Sequence, residues 1–93
     1  MGQKQKPAPG NTVSDENIAY ILLKCKLGRE EIVIDALKQI EGVQEIDQIY
    51  GTPYDFIIKI ISDNVKELDL LVRKIRRTKD IVSTQTIVVG GFA

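Results

Sequence analysis

Residues 50–62 read YGTPYDFIIKIIS. Gly51 and Pro53 punctuate a turn, and the run from Phe56 to Ile61 is β-branched and apolar, which suits a pleated, partly buried strand. The turn sets Tyr54, Asp55 and several backbone N–H groups at the rim of a sheet. Such a rim can hold a small polar ligand without doing chemistry on it. The strand is read as roughly Tyr54–Ser62, and a preceding strand, roughly Val43–Tyr50, leads into the turn.

Further toward the N-terminus, Ala19, Ile21, Leu23, Cys25 and Leu27 alternate and give one continuous apolar face. The opposite face carries Ile18, Tyr20 and Leu22 before it turns polar at Lys24 and Lys26. A sheet covered on one side only should not show that second apolar set, so its apolar half predicts contact with another subunit. Gly28 ends this strand, and REEIVIDALKQI follows with Val33, Ala36, Leu37 and Ile40 on one helical stripe. Glu30 and Glu31 stand in its first turn, where the helix dipole favours them, and Gly42 supplies a left-handed stop.

Beyond Ser62, Asp63 or Asn64 caps a second helix, with Glu67 three residues after Asn64. Its apolar stripe is Val65, Leu68, Leu71 or Val72, and Ile75. Arg73, Lys74, Arg76 and Arg77 crowd its end, beside exposed carbonyls. A fourth strand, Ile81–Val89, precedes Gly90 and Gly91. The order β-α-β-β-α-β, with right-handed crossovers, predicts an α+β, ferredoxin-like fold: a four-stranded antiparallel sheet with both helices on one face. Function and association are expected on the open face and its rims.

The bulk composition narrows the function. A chain of 93 residues allows one small domain, and such a domain buries roughly 60–65% of its unfolded surface, so association would help it. Residues 1–17, MGQKQKPAPGNTVSDEN, hold too little apolar surface to offset the entropy of ordering. The expected division is a disordered tail, 1–17, and one domain, 18–93. Thirteen basic and thirteen acidic residues cancel, which removes the electrostatic footprint of an autonomous nucleic-acid binder. No apolar run approaches the ~20 residues of a membrane span, and Cys25 is alone, as suits a reducing compartment. The expectation is a cytoplasmic protein with no membrane contact and no direct DNA binding.

Catalysis has little to work with. There is no histidine, so Cys25 lacks the usual base and reads as a small core residue. A Cys/His metal site is excluded by count, and no cofactor is expected. Glu30, Glu31, Asp63, Glu67 and Asp69 each read as helix-end or solvated-face charges. The basic cluster Arg73–Lys79 reads as a solvated helix end, since the first and third strands lack an RNA-stacking aromatic pattern. Asp55 is the carboxylate with the best case for a ligand. It follows a turn and precedes an apolar strand, where its charge needs water, a cation or local N–H donors; a cap on its own turn is the alternative. Ser83, Thr84 and Thr86 add hydroxyls to the fourth strand, where threonine is common in any case.

Taken together, AYILLKCKLGREEIVIDALKQIEGVQEIDQIYG, the Gly-Thr-Pro-Tyr-Asp turn with its FIIKI strand, and the closing IVSTQTIVV resemble the C-terminal ligand-binding domain of the Lrp/AsnC regulators. The resemblance runs from about Ile18 to Val89. The family turn is commonly Gly-x-Tyr-Asp, and the present turn is one residue longer. Full-length members carry a helix-turn-helix ahead of this domain, so the resemblance implies a stand-alone form. It further implies homodimers made through the open sheet face and assembled into rings, with amino-acid effectors held between subunits. By position, ligand contacts would fall on Gly51, Thr52, Tyr54 and Asp55, and on Ser83, Thr84 and Thr86.

The reading that follows is a non-enzymatic effector-binding and oligomerisation module that modulates full-length Lrp/AsnC regulators by mixed assembly. Two alternatives stand beside it. One is a structural association domain without a ligand, and the other is a subunit that regulates a metabolic enzyme as the similarly folded ACT domains do.

Overall fold

The computed structural model describes residues 17–90. The elements are β1 (Asn17–Cys25), α1 (Glu30–Lys38), β2 (Val43–Gln48), β3 (Phe56–Ser62), α2 (Val65–Arg76) and β4 (Ile81–Val88). They form one antiparallel sheet in the order β2-β3-β1-β4, the ferredoxin-like arrangement expected of the sequence. Apart from Asn17, which opens β1, the expected tail lies outside the described residues.

The core is a single cluster between sheet and helices. Ala19, Ile21, Leu23 and Cys25 of β1 and Ile58 and Ile60 of β3 pack with Val33 and Leu37 of α1 and Leu68, Val72 and Ile75 of α2. No polar or charged residue among those described is buried. The other side of β1 holds Ile18, Tyr20 and Leu22, all half-buried, although no element among the described residues covers them. Paired residues of antiparallel strands share a face. Ile57, Lys59 and Ile61 therefore lie beside Leu22, Tyr20 and Ile18, and Gln85 and Ile87 lie beside Leu22 and Tyr20.

Local signals explain the helix ends. Asn64 is the cap of α2: its side-chain oxygen accepts from the Glu67 N–H at 2.8 Å, satisfying one donor that the first helical turn leaves free. Asp69 and Arg73 pair one turn apart at 3.1 Å. Gly42 has a φ of +102° where the chain enters β2.

Three apolar positions differ from their sequence reading. Leu27 continues the alternation of β1 but is 96% exposed, because the strand ends at Cys25. Ala36 falls on the α1 stripe yet is exposed, leaving Val33 and Leu37 as the buried residues of that helix. Val65 opens α2 and is 70% exposed, while Leu68, Val72 and Ile75 carry its contact with the sheet.

Candidate functional site

At one end of the sheet, β1 and β2 finish while β3 and β4 begin. The ladder between β1 and β3 closes at Leu23 and Phe56, and Cys25 is left needing an acceptor for its N–H. Asp55 supplies it: its Oδ2 accepts from the Cys25 N–H at 2.9 Å. The Asp55 N–H donates to the Leu23 carbonyl at 2.8 Å, and the Asp55 carbonyl accepts from the Ile49 N–H at 3.0 Å. One residue thus ties the turn to the ends of β1 and β2. A charged acceptor on a backbone N–H is among the stronger hydrogen bonds available.

The turn itself is closed by Thr52. Its Oγ1 accepts from the Tyr54 N–H at 2.9 Å and lies 3.3 Å from the Tyr54 carbonyl. Pro53 has no N–H to give. Among the described residues, the amides of Gly51 and Thr52 and the Oδ1 of Asp55 carry no intramolecular hydrogen bond. Gly51 has a φ of +84° with open space where a Cβ would stand. Tyr54 and Asp55 are half-buried, while Gly51 and Thr52 are exposed.

The fourth-strand candidates do not form one group. Ser83 pairs with Lys24 and shares the open face. Thr84 pairs with Leu23 and Thr86 with Ile21, which sets both on the helix side. Thr84 and the start of β3 flank Leu23 from either side, two strand spacings, or about 10 Å, apart. Within one chain the rim therefore brings the turn near Thr84, with Ser83 on the other face and Thr86 further along.

A second anchor at this end escaped the sequence reading. Asp80 has a φ of +72° and a carboxylate only 6% exposed, 3.0 Å from the Arg29 Nε and 4.0 Å from the Lys26 Nζ. Its carbonyl accepts from the Lys26 N–H at 2.9 Å. The available signal was an Asp before a β-branched strand, since Asp tolerates a left-handed backbone. Nothing local pointed to partners more than fifty residues away.

Cys25 sits between these anchors. Burial, and then the carboxylates of Asp55, Glu30 and Asp80, push its thiol up to about 11, so it stays protonated and unreactive near neutral pH. Among the described residues no group of three or more His, Cys, Asp or Glu side chains could hold a metal ion. No helix there is long and apolar enough to cross a membrane. A groove of about 520 Å³ opens at the opposite end of the sheet, between Gly42 and Gln44 on one side and Ser62 and Glu67 on the other; none of the candidate residues lines it.

Comparison with known proteins agrees with this architecture. Residues 18–90 match the Lrp/AsnC ligand binding domain, and the chain belongs to that family. The structure of FFRP-DM1 is 34% identical, with a TM-score of 0.71 over 78% of this chain and 97% of that one. A Neisseria meningitidis transcriptional regulator, solved as its L-Met complex, shares the fold with a TM-score of 0.74 at 12% identity, over 98% of this chain and 60% of the regulator. Homocitrate synthase of Saccharolobus islandicus is 33% identical across 95% of this chain, which spans 18% of that enzyme's length. The family is one of regulatory ligand-binding domains.

Proposed function

We propose that this chain is a non-enzymatic, cytoplasmic module that binds an amino acid or a similarly small zwitterion at the rim formed by residues 51–55, and that it works as an oligomer. The observation that carries the reading is the division of labour within Asp55. Its Oδ2 is committed to the Cys25 N–H, while its Oδ1 has no protein partner among the described residues. An ammonium group is costly to bury unpaired, and Oδ1 can accept from it. The free amides of Gly51 and Thr52 can donate to a carboxylate, and the hydroxyls of Ser83, Thr84 and Thr86 extend the donor set. Since those hydroxyls lie on two faces, a second copy at the junction would be needed to complete the pocket. That a structurally similar regulator binds L-Met supports the choice of ligand class.

The open face supports the oligomer. Ile18, Tyr20, Leu22, Ile57 and Ile61 form an apolar surface that no element among the described residues covers, and two such faces packed together can bury well over ~1,000 Å². The neutral balance of charge favours action through partner regulators over direct DNA binding.

The test is calorimetry of the wild type and two variants against the twenty amino acids. Asp55→Asn keeps an oxygen for the Cys25 N–H and loses the charge. It is expected to keep the fold with a small loss of melting temperature, a neutral acceptor being weaker than a charged one, and to bind the effector more weakly by about 1–3 kcal/mol, roughly 5- to 150-fold. Asp55→Ala should lose both affinity and stability. Equal binding by wild type and Asp55→Asn would reduce Asp55 to a strand cap, and no binding by the wild type would favour a purely structural association domain. A second reading has its own support. The likeness to homocitrate synthase over nearly the whole chain fits a regulatory subunit of a metabolic enzyme, which effector-dependent inhibition of such an enzyme by the added chain would establish.

A further inference from the structure

The loop between β1 and α1 displays a leucine on a fastened turn. The Arg29 N–H donates to the Lys26 carbonyl at 3.0 Å, and Gly28 has a φ of +85°, the conformation that the third position of a type II turn takes. Both ends of this turn are tied down. The Lys26 N–H donates to the Asp80 carbonyl at 2.9 Å, and the Arg29 carbonyl accepts from the Val33 N–H at 3.0 Å. The Arg29 Nε lies 3.0 Å from the Asp80 carboxylate. Leu27 stands at the corner, 96% exposed. The turn makes no demand for an apolar side chain there, and so exposed a leucine adds nothing to the core.

Cations gather around it from two separate elements. Arg76, Arg77 and Lys79, all exposed, follow from the end of α2, where a helix end by itself favours basic residues. Lys26 and Arg29 come from the other loop, and the Lys26–Asp80 bond holds the two loops together. Asp80 turns little charge outward, because its carboxylate is 6% exposed and engaged by Arg29 and Lys26. Glu30 and Glu31 line a groove with Phe56 of β3, on the side of β1 away from β4. The opposite end of the domain carries Glu41, Asp63 and Glu67. A chain of zero net charge thus has a basic corner.

We propose that this corner docks an acidic partner protein, with Leu27 seated in an apolar pocket and carboxylates at the pocket rim meeting Lys26, Arg77 and Lys79. The surface is distinct from the effector rim and from the open sheet face. An apolar centre within a polar rim is the usual build of a protein contact. The fastened turn lowers the cost of binding, since no loop must be ordered first. A lipid surface would call for a broad apolar face, and here one leucine projects. A long polyanion such as duplex DNA would gain at this corner and be repelled by the acidic end. A second copy offering its own acidic end would add head-to-tail, a contact that closes only if the rotation allows it.

The experiment is a titration of the isotope-labelled full chain, followed by its backbone amide resonances. The probe is a short synthetic peptide of Asp and Glu around a Leu-Phe-Leu centre, with a Ser-Ser-Ser centre as its control. The first peptide is expected to shift the amides of Lys26–Arg29 and Thr78–Asp80 and to leave Gly51, Thr52 and Asp55 in place. Leu27→Ser should melt like the wild type and bind that peptide roughly ten- to a hundredfold more weakly. Lys79→Gln should weaken binding and flatten its dependence on salt. The proposal is overturned if no amide shifts, if the control peptide binds as well, or if Leu27→Ser binds like the wild type. Tighter binding to phosphatidylserine vesicles or to duplex DNA would also overturn it, in favour of a lipid or nucleic-acid surface. So would self-association of the chain that Leu27→Ser abolishes, because the occupant would then be a second copy. None of these results bears on effector binding, which the Asp55 variants test separately.

Discussion

The two faces of β1 are made from the same nine residues and have opposite fates. Ala19, Ile21 and Leu23 are fully buried beneath the helices, whereas Ile18, Tyr20 and Leu22 are half-buried, with no helix among the described residues over them. The hydrophobic content is similar on both sides. What differs is whether the described residues supply a cover. The helix side therefore holds the fold of a single chain, and the open side keeps apolar surface; if a second copy covers it, as proposed, its burial depends on concentration.

The largest effect is expected on the covered side. Leu23→Ala removes a fully buried side chain and should cost about 2–5 kcal/mol in urea unfolding at every protein concentration. Leu22→Ala, one residue away on the other face, should cost less than about 1 kcal/mol at high dilution and more as concentration rises. Equal, concentration-independent losses from the two substitutions would erase the distinction between the faces.

Much of this contrast was legible in the sequence because it rests on local periodicity. Alternation in Ile18–Cys25 marks two apolar faces, the helical spacing of Val65, Leu68, Leu71 or Val72, and Ile75 marks a packed helix, and Asp63 or Asn64 announces its start. The failures share one cause. Alternation carried Leu27 onto the buried face because the residue that ends β1, Asp55, lies thirty positions away. The Asp80 clamp joins residues fifty-one positions apart. Register divides Ser83 from Thr84 and Thr86, and register depends on pairing with β1, which no window along the fourth strand contains. The position of the turn is read locally, but the bond that occupies half of the Asp55 carboxylate joins it to Cys25, thirty positions away.

The covered face has one ionisable side chain at its polar end, and pH sharpens the comparison there. The folded state raises the Cys25 thiol from 9.0 to about 11. An unfolded chain releases that proton near pH 9 while the folded chain holds it, so the contribution is complete below pH 9 and disappears as pH climbs through 11. Its full size is about 2–3 kcal/mol at most. Cys25→Ala has no thiol to titrate, so the stability gap between wild type and variant should narrow between pH 8 and pH 11. A constant gap would mean that the thiol is solvated.

The smallest expected effect compares two glycines at the ends of β2, one under the helices and one at the open rim. Gly42 and Gly51 have similar backbones, with φ of +102° and +84°. Replacing either with alanine forces a side chain into the left-handed region, at about 1–2 kcal/mol. Around Gly51 nothing lies within 4 Å of the new methyl group, but at Gly42 it would meet Leu71 Cδ2 at 2.6 Å and the Ile61 carbonyl oxygen at 3.4 Å. The close neighbour is the tip of a half-buried leucine, which can turn aside. The Ile61 oxygen is backbone and cannot, yet its distance is nearly tolerable. Gly42→Ala should therefore exceed Gly51→Ala by less than about 1 kcal/mol in thermal or urea unfolding. A double-mutant cycle with Leu71→Ala isolates the contact: relief of the excess by the second substitution assigns it to Leu71, and an undiminished excess assigns it to the backbone at Ile61.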